Sequence, residues 1–146
     1  MKIKNPKEYA LYLLKFKDRS ERSIEEKMQQ KDFSEAEIKS TVAFLIEKKF
    51  IDEAKLAKSL IRDGLEFKLW GRYRIQKKMI AERIKPETIE KSLSELSLEM
   101  ELESALNAKE KWQKRNKIKD YADKQKLFSF LSRRGFSWDI ISELGI

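Results

Sequence analysis

The chain has 146 residues, a formal net charge of +8, 40% charged and 40% hydrophobic side chains, and neither cysteine nor histidine. Without thiols or imidazoles there is no disulfide, no thiol nucleophile, no zinc site of the usual ligand type, no histidine general base and no Ser-His triad. The four glycines stand apart at 64, 71, 135 and 145, which leaves no glycine-rich phosphate loop, and no apolar run approaches the ~20 residues of a membrane span.

Four glycines and two prolines point to long helices with short connections. Met1 to Pro6 lacks the apolar stretch of a signal peptide, so a cytoplasmic protein is expected. The charge is laid out in blocks. Residues 67–85 carry seven basic side chains and one acidic, residues 86–108 carry one and six, and residues 109–134 carry ten and three. Two basic blocks around an acidic one resemble prepared surfaces, although a solvated helix face also accounts for a charge run.

In chain order, Asn5-Pro6-Lys7-Glu8 predicts a helix start, with Tyr9, Ala10, Leu13, Leu14 and Phe16 as an apolar face through about Lys17. A second helix runs from about Ser20 or Ser23 to Lys31-Asp32 and carries Ile24 and Met28 inward. Ser34 and Glu37 form a capping box for a third, with Ile38, Val42, Leu45 and Ile46 at 3-4 spacing to about Lys49. Asp52 caps a fourth, which ends near Gly64, and Phe67-Lys68-Leu69-Trp70 reads as a loop. A basic helix opens at Gly71, with Ile75, Met79 and Ile84 apolar and Arg72, Arg74, Lys77, Lys78 and Arg83 charged. Pro86 starts a sixth helix with Ile89, Leu93 and Leu96 on one face. Ser97 caps a seventh, which ends in the basic stretch from Lys109 to Lys119. An eighth runs from about Asp120 to Arg134 and stops at Gly135, and a short ninth begins at Ser137.

The same frame occurs three times. Ile24, Ile75 and Leu127 align, as do Met28, Met79 and Leu131, then Phe33, Ile84 and Phe136, then Ile38, Ile89 and Ile141. Each step is 51 and then 52 residues, and the cap positions Ser34, Lys85 and Ser137 keep the same offsets. The expected fold is all-α: three tandem three-helix repeats, at 1–50, 51–97 and 98–146, in an elongated, curved array.

The repeat separates two kinds of residue. Ile75 and Met79 belong to the shared frame and must face inward. The basic residues are not matched as a set in the first copy, so the fold does not require them. Arg72, Arg74, Lys77 and Lys78, with Lys68, Trp70 and Tyr73 beside them, form one candidate surface for phosphates or for acidic side chains. Arg74 and Lys78 are i,i+4 neighbours on it. Lys124, Lys126, Arg133 and Arg134 form a second. Trp70 could instead plug the gap between the first two modules, and Trp112 and Trp138 read as core. Glu95, Glu99, Glu101 and Glu103 read as a negative spacer or as a contact for basic segments of a partner. No catalytic residue, metal site or cofactor is expected.

Phe50-Ile51-Asp52-Glu53, then Leu56 to Arg62, then Gly71-Arg72-Tyr73-Arg74-Ile75 and Met79, resembles the central signature of the RecX family of recombinase regulators. Arg22-Ser23-Ile24 with Lys27-Met28 and Phe33-Ser34 resembles that family's first module, and the likeness runs in order along essentially the whole chain. Three places depart from the family pattern, one of them a short last helix. Arg72 stands where many members have proline, and Ala81-Glu82-Arg83-Ile84 replaces a basic-glycine turn. The resemblance implies tandem three-helix repeats and a non-catalytic, monomeric protein that binds RecA filaments on single-stranded DNA. It also implies inhibition of their ATP hydrolysis, strand exchange and co-protease activity. The residues by themselves also allow a helical nucleic-acid-binding module of another pathway, or an adaptor with no nucleic-acid role.

Overall fold

The structure is a computed structural model that describes residues 3–146, so Met1 and Lys2, where the N-terminal segment and the first module begin, lie outside it. The described residues are all-helical: α1 (Pro6–Phe16), α2 (Glu21–Gln30), α3 (Glu35–Glu47), α4 (Glu53–Asp63), α5 (Arg72–Ala81), α6 (Pro86–Ser94), α7 (Leu98–Gln113), α8 (Tyr121–Arg133) and α9 (Trp138–Ser142). Most of them start where a short polar side chain can accept from an otherwise orphan amide. Asn5, Ser20, Asp52, Ser97, Asp120 and Ser137 each accept one, and Ser34 with Glu37 completes the expected capping box.

The repeat is written in the backbone as well as in the side chains. The residues at positive φ after the second helix of each trio are Asp32 (62°), Arg83 (64°) and Gly135 (93°), again 51 and 52 residues apart. At each turn the next amide reaches back to the carbonyl of the framework methionine or leucine: Phe33 to Met28 (3.3 Å), Ile84 to Met79 (3.2 Å) and Phe136 to Leu131 (3.2 Å). This left-handed closure satisfies helix-end carbonyls and seats the aromatic or isoleucine on the core.

Three apolar cores follow. Tyr9, Leu13, Ile24, Met28, Val42 and Leu45 centre the first. Leu56, Ile61, Ile75, Met79, Ile89 and Leu93 centre the second. Ala105, Ala108, Leu127, Leu131, Phe136 and Ile140 centre the third. Ile24, Met28, Ile75, Met79, Leu127 and Leu131 are wholly inaccessible, as the shared frame requires. Ile51, placed by the sequence at the head of the second module, packs into the first core. The accessible surface is 10041 Å². A compact protein of 17.4 kDa exposes roughly 7,900 Å², and the excess is that of an extended array.

Two expectations are corrected. The chain does not enter a loop after Gly64. It continues as a π-helical turn (Gly64–Lys68), closed by Leu69 at φ 55° and by the Trp70 amide, which donates to the Gly64 carbonyl at 2.8 Å. That turn buries Leu65 in the second core and lays Leu69 on the third, and this apolar burial favours it over an open loop. Trp138 is not core: it is 64% exposed. Its cap, Ser137, is the equivalent of Ser34 and Lys85, so Trp138 takes the place of Glu35 and Pro86, which are exposed too. Trp112 is half-buried against the third core.

Candidate partner surface on the second and third modules

The joint between the second and third modules is built from backbone. The Gly71 amide donates to the Arg134 carbonyl at 2.8 Å, and the Tyr73 amide donates to the Gly135 carbonyl at 3.1 Å. The chains can approach so closely because neither glycine has a side chain. A Cβ on Gly71 would lie 2.5 Å from the Gly135 oxygen, and one on Gly135 would lie 2.5 Å from Arg74 Cβ. This contact brings the start of α5 against the end of α8, and with it the two basic blocks of the sequence.

Arg72 is not part of the outer face. Its Nε donates to Glu101 Oε1 (3.0 Å), and its two terminal nitrogens donate to the carbonyls of Leu93 (2.8 Å) and Leu96 (2.9 Å). The planar fork of arginine satisfies a carboxylate and two carbonyls, one in the last turn of α6 and one just beyond it, together. Glu101 is buried, and its other oxygen accepts from the Arg72 amide (3.3 Å), at a helix start whose N-cap glycine supplies no side chain. Glu101 therefore belongs to the joint and to neither a spacer nor a partner contact. The acidic partner lies 29 residues along the chain, beyond the reach of local pairing rules.

The joint between the first and second modules uses the same device with different surroundings. Glu53, at the start of α4, accepts from the Glu21 amide (3.0 Å) and the Lys85 amide (2.9 Å). Glu21 and Arg72 are equivalent residues, 51 apart, so each second helix but the last is capped by a glutamate of the following module. Side-chain pairs complete this joint: Lys85 to Glu21 (2.9 Å), Arg83 to Glu26 (3.6 Å) and Lys17 to Glu82 (3.2 Å). The Ser20 hydroxyl donates to the Glu82 carbonyl (2.7 Å). Lys78 is spent here as well, 3.1 Å from Glu82.

The remaining candidates sort by partner. Among the described residues, no carboxylate lies within 4.0 Å of Lys68, Arg74, Lys77, Lys124, Arg133 or Arg134. Arg74 stands over the half-buried Trp70 ring at 5.1 Å, and the Trp70 carbonyl accepts from the Ser104 hydroxyl at 3.0 Å, so Trp70 braces the joint and carries Arg74. Arg134 stacks on Phe130 at 4.8 Å and donates to the Lys68 carbonyl. Burial, and then the neighbouring Arg74 charge, push the Arg134 guanidinium below its ordinary value. Arg133 and the exposed Tyr73 line a hollow with Arg74 and Lys77. The structure thus gathers Lys68, Tyr73, Arg74, Lys77, Arg133 and Arg134 around one joint. Lys124 and Lys126 lie toward the other end of α8, with Lys126 3.9 Å from Asp123 and beside Arg115, Lys117 and Lys119.

Residues 7–45 match the first three-helix domain of RecX, and residues 99–144 match the third. The chain is 32% identical over 136 residues to the "Regulatory protein RecX" of Vibrio parahaemolyticus, covering 93% of this chain and 86% of that one. The chain belongs to the RecX family. It is also 30% identical to the RecX regulatory protein of Thermotoga maritima over 148 residues, covering 99% and 84%. The crystal structure of RecX from Lactobacillus salivarius superposes with a TM-score of 0.84 at 24% identity over 96% of this chain and 94% of that one, so the RecX fold is shared. Among the described residues no helix is long and apolar enough to cross a membrane.

Proposed function

We propose that this RecX-family chain binds RecA filaments on single-stranded DNA and inhibits their ATP hydrolysis, strand exchange and co-protease activity, so modulating recombination and the SOS response. It works in the cytoplasm as a monomer and catalyses nothing itself. The observation that carries this reading is the gathering of cations from two modules, without carboxylate partners, around the joint of α5 and α8. An unpaired basic surface on an extended helical array suits a long, polyanionic filament. The test is the DNA-dependent ATPase of RecA: the chain suppresses it well below the amount needed to coat the naked DNA. ATPase unchanged at saturating protein sinks the reading.

A second reading is a helical nucleic-acid-binding module of another pathway, favoured by the exposed Tyr73 among those cations. It requires equal binding with no recombinase present, and a log K that falls by about 0.7 per neutralised phosphate of a single strand with log salt.

A further inference from the structure

Two hollows flank the last turn of α8. One, of about 440 Å³, is lined by Phe128, Ser129, Ser132, Arg133 and Trp138 among others. The other, of about 450 Å³, is lined by Tyr73, Arg74, Lys77, Ser132 and Arg133 with Gly135. They share Ser132 and Arg133 in their walls, and the two adjoining hollows, taken together, make a trough that reaches from α5 to α9. Every charge lining it is positive: Arg74, Lys77 and Arg133.

Each end of the trough carries an exposed aromatic ring. Trp138 is held edge-to-face against Phe128, with ring centres 5.5 Å apart at 80°, which orients the indole without burying it. Tyr73 is 58% exposed on the first turn of α5. The fold gains little from either ring in these positions, because each leaves most of its apolar face in water. The repeat does not demand the indole either, since Glu35 and Pro86 serve at its equivalents.

We propose that this trough binds a single nucleic-acid strand, with one base stacked on Trp138, another on Tyr73, and the phosphates between them met by Arg133, Arg74 and Lys77. The proposal rests on the nucleic-acid-binding reading put forward above and assigns it to residues. Aromatic faces at the two ends and cations between them match the stacked bases and the charged backbone of a single strand. An acidic peptide would use the cations and leave two rings uncovered. A duplex would offer phosphates but keep its base faces stacked within itself.

The test uses the full chain, a labelled oligothymidylate and fluorescence anisotropy, with no recombinase present. Trp138→Ala weakens binding by about fivefold or more, as expected for the loss of one stacked base, and leaves the salt slope unchanged. Trp138→Phe keeps most of the affinity, and Trp112→Phe behaves as the parent. Arg133→Gln weakens binding and reduces the salt slope by about 0.7. A 5-bromouracil oligonucleotide cross-links to Trp138 or Tyr73 on irradiation. Parental affinity in Trp138→Ala, or cross-links mapping elsewhere, overturns the proposal. If Trp138→Ala lowers thermal stability, the Phe variant and the cross-link decide. RecA ATPase, measured on the same proteins, separates the two readings. Suppression without oligonucleotide binding removes the trough and leaves the regulator. Oligonucleotide binding through Trp138 without suppression does the reverse. Filament binding lost in Trp138→Ala with oligonucleotide binding intact makes the trough a protein contact and overturns the proposal.

Discussion

Gly71 faces Gly135 with no side chain between them, and the amides of Gly71 and Tyr73 bond the carbonyls of Arg134 and Gly135 at 2.8 and 3.1 Å. Alanine at either place forces the two backbones apart. Gly71→Ala is expected to destabilise by about 1–3 kcal/mol, the usual range for overpacking. Gly135→Ala is expected to cost more, because φ is 93° there and a Cβ adds strain to the clash. Urea denaturation followed by circular dichroism measures both. If the two variants denature at the parental midpoint, the backbone joint does not exist in solution.

Arg72 and Glu101 are one interaction made of four hydrogen bonds, counting the carbonyls of Leu93 and Leu96. Removing one member of a buried pair costs about 3–5 kcal/mol. Arg72 is a third exposed and keeps its two carbonyls, so Glu101→Ala is expected at about 2–3 kcal/mol. Arg72→Lys recovers little of an Arg72→Ala loss, since an ammonium cannot span the carboxylate and both carbonyls. A lysine variant as stable as the parent would contradict that geometry.

Charge reversal separates the outer face from the frame. Arg74→Glu with Lys77→Glu is expected to weaken RecA-filament binding at least tenfold at low salt while the melting temperature stays within a few degrees. Lys78 is unsuited to this pair, because a glutamate there repels Glu82 and disturbs the first joint. Met79→Ala is expected to destabilise by about 2–5 kcal/mol, since Met79 is wholly inaccessible. A charge-reversed protein that loses helicity would mean that the face is assigned wrongly.

The polar joint is expected to respond to acid. Burial pushes the Glu82 carboxyl up, but hydrogen bonds from Lys78 and Lys17 outweigh it and hold the group below its ordinary value of 4.5. The lowered value means that Glu82 contributes stability above about pH 4.5, and that this is lost as pH falls through the lower, folded value. Glu25 runs the other way. Burial and then Glu21 raise it, so its strain is relieved as pH falls from neutral, before the Glu82 loss begins. Glu82→Gln is therefore less stable than the parent near neutrality, and the gap narrows below pH 4.5. Urea midpoints across that range show it, and a gap independent of pH would remove Glu82 from the joint.

An accessible surface well above that of a compact protein of this mass implies an extended particle. Small-angle scattering is expected to give a radius of gyration clearly above the ~15 Å of a compact chain of this length. A value at or below that figure argues against the array.

The architecture was legible because its signal is redundant. Apolar side chains and cap positions repeat at the same two offsets, so no single position had to be read correctly. The joints were not legible, because a pair such as Arg72 and Glu101 depends on how modules meet, and nothing periodic marks it. Lys78 is an intermediate case: Glu82, four residues on, was a visible helical partner. Trp138 was readable too, from Glu35 and Pro86 at its equivalents. Aromatic character suggested burial there, while the register said outside. The π-helical turn had no signal beyond Leu65 and Leu69, two apolar residues with nowhere to go in a loop.

The borrowed glutamates give the chain a direction. The start of α5 has only Glu101 to finish it, whereas α2 and α8 carry their own caps in Ser20 and Asp120, and Glu53 adds one bond to α2. On the ribosome, the second module emerges before the residue that completes α5. A nascent chain halted between Arg72 and Glu101 therefore presents a bare helix start and an unpaired guanidinium to whatever waits at the exit.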